Sequence, residues 1–206
     1  VINSHIGGTY GDSSGHKVTG NSEINIYCGD FSGVAHWGTT NPNNPKRFSG
    51  GPTMRGSIEG NTKVNIDYSA NPTESFQLPK GSSLSGGVPY GATGSVYVGR
   101  NDTVTTIEMN IKAGGDGSKD ALAGASIYGD GATQGEGDYN NPGATLNRSN
   151  RIIMNIDAPG STIGNLYATN SRHNLNRDIQ VNVTSAKSIN GINGGSARSG
   201  QEDNFT

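Results

Sequence analysis

The chain has little of the apolar and charged material from which compact helical domains are made. Leu, Ile, Val and Phe together account for 36 of its 206 residues, and charged residues for 16%. So low an apolar share is typical of disordered chains only when the net charge is also high. Here the formal net charge is −2 and the apolar residues stand in short alternating runs. The sequence therefore predicts an ordered single domain over residues 1–206 with a thin core.

Other absences exclude whole classes of partner and site. The single cysteine, Cys28, leaves no second cysteine for an internal disulfide. No basic block could neutralise phosphates, so nucleic acid is not an expected partner. No run of about 18 apolar residues occurs, so insertion into a membrane is not expected either. The first residues lack the charged start and apolar stretch of a signal peptide, and we therefore expect a mature product or a segment of a longer chain.

Glycine and asparagine are abundant, with 33 and 24 copies. Glycine adopts positive φ freely and asparagine tolerates the left-handed region, so both are common where a chain turns. Between these turn residues stand short runs of Ile, Val and Thr, which favour strands. The composition predicts many short strands and no long helix.

One tripeptide, apolar–Asn–apolar, returns five times. Its neighbours extend the alternation, as in Ile107-Glu108-Met109-Asn110-Ile111. Alternation with period two predicts a half-buried strand whose apolar side chains point inward and whose Asn points outward. The Asn side chains could form a hydrogen-bonded ladder or be ordinary exterior residues, and the sequence leaves both open. The five copies are centred on Asn25, Asn65, Asn110, Asn155 and Asn182.

A second motif, an aromatic residue followed by Gly or Ala, lies between these strands. It occurs at Tyr10, Trp37, Tyr128 and Tyr167, and in the remaining unit either Tyr90 or Tyr97 could fill the place. Twelve residues separate Asn25 from Trp37 and Asn155 from Tyr167, and 27 separate Asn155 from Asn182. The other steps between the Asn residues are 40, 45 and 45, which we interpret as a 27-residue unit with insertions.

A unit of this length cannot bury an apolar face alone, but stacked units can. The sequence therefore predicts an all-β fold, a parallel β-solenoid (β-helix) of about five coils with a minimal 27-residue repeat and loop insertions. The insertions are predicted to follow Trp37, Tyr68, Lys112 and Asp130, where turn-forming residues are dense.

The phrases GSTIGNLYATN, GASIYGDG and NTKVNID resemble the repeats of large bacterial surface proteins. Those proteins are adhesins predicted to be right-handed β-helices, so the resemblance implies architecture and an extracellular or cell-surface location. It implies no activity. The chain departs from the usual pattern through its large insertions and through Ala168 or Val98, where Gly would follow.

The best metal candidate is the segment Asp116–Asp120, which carries oxygen ligands at alternate positions as calcium loops do. Its sixth position is Ala121 and its twelfth is Ile127, so a solvated acidic turn is the stronger interpretation. Asp130, Glu136 and Asp138 could complete a site only if the two loops meet. Calcium binding within 113–138 stays open.

No other pattern points to catalysis or to a cofactor. Glu23, Lys63 and Glu108 each stand two residues before a repeated Asn and are predicted to form an outward row, which Ile153 and Gln180 continue without charge. Alternating charges are what stacking alone favours. The histidines share no ligand spacing. We therefore predict no enzyme, no cofactor and no metal site; the histidines are His5, His16, His36 and His173.

Single residues carry the remaining expectations. Cys28 is predicted to be a partly buried, inert thiol, and Trp37 a scaffold residue. Phe48, Phe76 and Tyr139 are predicted to be exposed in the insertions, where aromatic residues serve as contacts. Glycosylation sequons at Asn101, Asn147, Asn182 and Asn204 are interpreted as chance matches in a chain rich in Asn, Ser and Thr.

These expectations favour a non-catalytic, secreted or cell-surface binding or stalk module of adhesin type. Its insertions, 39–55 and 130–147, would contact a host or matrix glycan or protein. One alternative is a structural subunit that self-associates through the solenoid ends into an extracellular filament, since uncapped ends expose sheet edges. A second alternative is a β-helix polysaccharide lyase or hydrolase.

Overall fold

The described part of the chain is built from parallel strands. The computed structural model describes residues 16–29, 47–51, 56–71, 77–78, 82–87, 96–99, 104–113, 120–130, 151–169 and 178–194. These stretches contain strands and turns and no helix. Every strand pair within them is parallel, which requires a long connection between neighbouring strands. The prediction of an all-β, parallel architecture is confirmed at this level.

The five apolar–Asn–apolar copies lie side by side. They belong to β2 (Ser22–Ile26), β5 (Thr62–Asp67), β8 (Thr106–Lys112), the first part of β10 (Arg151–Tyr167) and β11 (Asp178–Asn193). The pairing places each repeated Asn directly opposite the next one along the chain. The unequal steps between the Asn residues therefore leave the register unchanged, as the alternation predicts.

A second column of strands runs beside the first. It contains β3 (Arg47–Ser49), β6 (Ser83–Ser85), β9 (Ala125–Tyr128) and the later parts of β10 and β11. Because β10 pairs with β8 through its first part and with β9 through its last, it joins both columns into one sheet. The sheet is strongly curled, like half of a barrel, and is compatible with a β-solenoid.

The second column corrects the aromatic motif of the sequence. Ser49 lies opposite Ser85, Ser85 opposite Tyr128, and Tyr128 opposite Tyr167. The predicted places of Tyr128 and Tyr167 are therefore right, but the equivalent residues before them are serines. Of the two candidates for the remaining unit, Tyr97 is wrong because it lies in a different column. Tyr90, like Tyr10 and Trp37, lies outside the described residues. The spacing from Asn25 to Trp37 is not the spacing of the paired strands.

A third column, which the sequence did not predict, pairs β1 (His16–Val18), β4 (Gly56–Ile58) and β7 (Val96–Val98). Its strands have three residues each, too few for a period-two pattern to stand out. A signal was present nonetheless. An apolar residue, one variable residue and Gly-Asn precede both β2 and β5, at Val18 and at Ile58.

The core lies inside the curl, where the inward side chains of the columns meet. Most inward positions of β5, β8 and β10 are fully buried, because each of these strands has neighbours on both sides. Burial of large aliphatic side chains is the main stabilising contribution in such a sheet. The largest buried side chains are Tyr68, Phe48, Ile58, Ile66, Leu84, Ile107, Met109, Ile111, Leu122 and Ile127.

Three buried residues contradict the predicted insertions. Phe48 was predicted to be exposed within 39–55, but it is fully buried in β3. Leu78 and Ala121 fall in the insertions predicted after Tyr68 and Lys112, yet both belong to the core. The Leu78 amide donates to the Ala121 carbonyl at 2.8 Å, so these two segments also pair through their backbones. In the sequence, the few core residues of these segments are surrounded by turn-forming residues, so the segments were predicted to be loops.

Small residues, glycine or alanine, directly follow the strands of the second column. A Cβ added at Gly86 would lie 2.6 Å from the Gly129 carbonyl oxygen, and one at Gly129 would lie 2.3 Å from the Ala168 oxygen. Real Cβ atoms do not approach a carbonyl so closely. Neighbouring turns of the chain therefore pack backbone against backbone here, which accounts for the glycine of the sequence motif.

Candidate functional site

The outward side of the first column is a regular surface that spans five paired strands. We call it the asparagine face; it comprises the outward residues of β2, β5, β8 and the first parts of β10 and β11. Side chains alternate along each strand, so these residues point away from the core while their apolar neighbours point into it. Parallel pairing places equivalent residues of neighbouring strands about 4.8 Å apart. The face is thus a set of straight rows of side chains.

The central row is a hydrogen-bonded ladder over its last three members. Asn182 donates through Nδ2 to Asn155 Oδ1 at 2.7 Å, and Asn155 donates to Asn110 Oδ1 at 2.8 Å. Asn110 then donates to Glu108 Oε1 on its own strand at 2.7 Å, and Asn25 likewise donates to Glu23. The ladder hypothesis is confirmed for Asn110, Asn155 and Asn182. All its bonds run in one direction, from the later strand to the earlier one.

A charged row flanks the ladder on one side. Glu23 lies opposite Lys63 and Lys63 opposite Glu108, as predicted, and Lys63 Nζ is 3.7 Å from Glu108 Oε1. Ile153 and Gln180 continue the row without charge. Such half-exposed pairs contribute little stability each. Their alternation prevents like charges from meeting on neighbouring strands.

A second charged row, on the other side of the ladder, was not predicted. Lys112 lies between Asp67 and Asp157, and Asp157 accepts a hydrogen bond from the Ser185 hydroxyl. The Ser69 hydroxyl and amide both donate to Asp67 Oδ1, and together with the Lys112 ammonium at 3.8 Å they hold the pKa of Asp67 below its ordinary value. In the sequence, the residues of this second row stand two positions after a repeated Asn, whereas those of the first charged row stand two positions before one.

The acidic residues of the proposed calcium segment have structural partners where they are described. Asp120 Oδ1 accepts from the amides of Ala123 and Thr162, each at 2.8 Å, and so fixes the turn that leads into β9. Asp130 is fully buried and accepts from the Thr169 hydroxyl at 2.6 Å. Asp116, Glu136 and Asp138 lie outside the described residues. Within the described stretches, no three His, Cys, Asp or Glu side chains gather closely enough to hold a metal ion.

Several single-residue expectations can be compared directly. Cys28 is exposed, so the prediction of a partly buried thiol was wrong; it follows the last core position of β2, where the chain leaves the sheet. His16 lies in β1, and the sequon residue Asn182 belongs to the ladder. The other candidates lie outside the described residues: His5, His36, His173, Trp37, Phe76, Tyr139, Asn101, Asn147 and Asn204.

Two aromatic rings stack on the outward side of the second column. The rings of Tyr128 and Tyr167 have centroids 5.0 Å apart and planes 16° apart. Tyr128 is nearly buried, so the pair is a scaffold contact before it is an exposed aromatic platform. The shared aromatic motif predicted both positions, but not that the two rings would touch.

The comparisons with known proteins identify no relative. A scan against protein-family models, a search of curated proteins and a search of solved structures each returned no match. In the described residues there is no helix of the length and apolar character that crossing a membrane requires.

Proposed function

We propose that the chain is a parallel β-solenoid of about five coils, built on a 27-residue minimal unit, that serves as a non-catalytic binding or stalk module outside the cell. The carrying observation is the constant register of the Asn row across unequal chain steps. A scaffold that absorbs extra chain without changing its strand pairing is suited to present loops.

The state of the acidic residues supports a role without catalysis. Each of five carboxylates accepts a hydrogen bond from a neighbouring side chain or backbone amide: Asp67, Glu108, Asp120, Asp130 and Asp157. A hydrolase of polysaccharides needs two carboxyl groups free to act on one glycosidic bond. Release of reducing ends from pectin-like polymers by the purified chain would contradict the proposal and favour the enzyme alternative.

The connection between β9 and β10 is the best place for contacts to a ligand. Residues 129–150 link these strands, whereas residues 168–177 link β10 to β11 at the equivalent corner. The shorter connection shows how little chain is needed to close this corner. The extra length of the longer one is therefore available to recognise a glycan or protein of a host or matrix.

A loop exchange tests this role without disturbing the sheet. Residues 131–150 are replaced by the sequence of 170–177, which preserves Asp130 and its bond to Thr169. The full chain is screened on immobilised arrays of defined glycans and extracellular-matrix proteins. We expect binding by the full chain and its loss in the exchanged variant, with unchanged circular dichroism and melting temperature. Binding that survives the exchange, or no binding by the full chain, would overturn the proposal.

A further inference from the structure

The last strand leaves one edge of the sheet open in the described part of the chain. β11 pairs with β10 on one side, and no described strand pairs with its other side. Inward side chains of β11 are exposed at positions where the paired side chains of β10 are buried. Val183 is 36% exposed against 2% for Ile156 opposite it, and Ile192 is 61% exposed against 0% for Leu166. Backbone groups and apolar side chains are thus presented together, which is what recruits another strand.

In two rows of polar residues, each hydrogen bond between strands is donated by the later strand to the earlier one. In the ladder each later Asn donates to the earlier one, so Asn182, the last member, receives no donor at Oδ1 from the described residues. A second row behaves alike: Asn21 Oδ1 accepts from the Asn61 amide and Asn61 Oδ1 from the Thr106 amide, each at 2.8 Å. Asp178 stands in that row on β11. The β11 edge therefore offers acceptors.

The first strand of the same column offers the matching donors. β2 pairs with β5 alone among the described strands, and Asn25 is exposed. Its amide nitrogen carries two N–H groups, of which the bond to Glu23 uses one. One N–H of Asn25 therefore remains available, and the equivalent Nδ2 groups of Asn155 and Asn182 donate to the preceding strand. In the other row, the Asn21 amide corresponds to the amides of Asn61 and Thr106.

Placed in the register found within the chain, the two edges also match in polarity. Val181 and Val183 would meet Ile24 and Ile26 on the inward side, and Gln180 would meet Glu23 on the outward side. No like charges meet, and the Val–Ile and Asn–Asn contacts repeat pairs already present between neighbouring strands. A head-to-head pairing of two β11 edges would instead set acceptors against acceptors.

We propose that the β11 edge binds the β2 edge of a second copy of this chain, in parallel and head to tail. Such a heterologous contact does not close on itself, so it produces linear assemblies. The inference concerns the ends of the sheet and does not rest on the proposed ligand-binding role, which belongs to the connection between β9 and β10.

The test blocks each edge separately in the full 206-residue chain. Val183→Lys places an ammonium in the β11 contact, with Ile192→Lys as a second variant at the same edge, and Asn25→Lys blocks the β2 edge. Val104→Lys is the matched control, because Val104 is 75% exposed and belongs to neither edge. Sedimentation velocity over a concentration series reports the size, and circular dichroism confirms the fold.

We expect the unmodified chain and the control to form oligomers larger than dimers as concentration rises. Each blocked variant alone should stay monomeric, while an equimolar mixture of the β2-blocked and β11-blocked variants should stop at dimers. Dimers of the β2-blocked variant alone would show a head-to-head contact and overturn the proposal. A monomeric chain at every concentration that stays monomeric after removal of residues 195–206 overturns it also. Assembly that begins only after that removal means that the chain covers its own edge, and equally contradicts the proposal for the full chain.

Discussion

Asparagine and glycine hold fixed places in this sheet for different physical reasons. Asn155 both donates to one neighbouring strand and accepts from the other, which few side chains of its length can do. Position 86 requires glycine for steric reasons, because a Cβ there would lie 2.6 Å from the Gly129 carbonyl oxygen. A substitution at either residue should therefore change stability by altering contacts between neighbouring strands, and not by altering the local conformational preference of the backbone.

Asn155→Ala should lower the free energy of unfolding by about 1–2 kcal/mol, because two half-exposed hydrogen bonds are lost at about 1 kcal/mol each. Urea denaturation measures the change. Asn25→Ala is the matched control, since Asn25 donates only within its own strand among the described residues and its loss should stay within about 0.5 kcal/mol. Equal losses in the two variants would show that the ladder contributes nothing.

Gly86→Ala should destabilise the chain by about 1–3 kcal/mol, the usual effect of overpacking, since the new methyl group meets the Gly129 oxygen at 2.6 Å. Gly20→Ala is the control, because nothing lies within 4 Å of a Cβ there. Thermal unfolding of both variants decides the matter. A Gly86 variant as stable as the Gly20 variant would refute the close approach of the strands.

Asp67 should make stability depend on pH in the acid range. Its folded pKa lies below the ordinary value of 3.8, so its contribution is complete above that value and is lost as the pH falls through the folded pKa. Asp67→Asn should therefore be less stable than the unmodified chain at neutral pH, by less than about 1 kcal/mol for so exposed a group. In urea denaturation the difference should shrink as the pH falls below that ordinary value.

Ser69→Ala provides the control for the cause of this shift. It removes the hydroxyl donor to Asp67, so the pKa of Asp67 should rise toward its ordinary value while Lys112 is left in place. Nuclear magnetic resonance titration of the Asp67 side chain follows it. An unchanged midpoint would assign the shift to the backbone amide at position 69 and to Lys112 instead.

Strands of three residues also contribute fully buried side chains to the core. β3 has a single inward side chain, Phe48, which is fully buried in the same column as Leu84, Ile127 and Leu166. The segment around it is rich in Pro, Asn and Gly and was therefore interpreted as a loop. A strand of three residues is therefore recognised from the neighbouring strand that it packs against, and not from its own sequence.

Phe48→Ala should destabilise the chain by about 3–5 kcal/mol, as truncation of a buried aromatic side chain does. Val104→Ala is the control, because Val104 is exposed and its truncation should remain within about 0.5 kcal/mol. Urea denaturation of both variants tests the assignment. A tolerated Phe48→Ala would restore the loop interpretation of residues 39–55.

Across the whole molecule, stability should decrease from the middle of the sheet toward its edges. β8 has paired strands on both sides, whereas β11 has one among the described strands. Opening an edge strand breaks one interface and opening a central strand breaks two.

Amide hydrogen exchange at low protein concentration should therefore be faster in β11 than in β8. Ile111 and Val183, which occupy the same inward row, are a suitable pair of reporters. Slower exchange in β11 at higher concentration would accompany assembly through its edge. Protection of β11 equal to that of β8 at the lowest concentration would mean that this edge is covered within one chain.

The alternation of the sequence by itself determined the first column: which residues point inward, which point outward, and that the five Asn residues share one row. Period two survives because strands of five or more residues repeat it often enough to be read. The tertiary structure alone decided the third column, the early strands of the second column, the burial of Phe48 and Leu78, and the exposure of Cys28. Three-residue strands hold one or two inward side chains, so their place depends on the neighbouring strand that fixes their register and not on any pattern of their own.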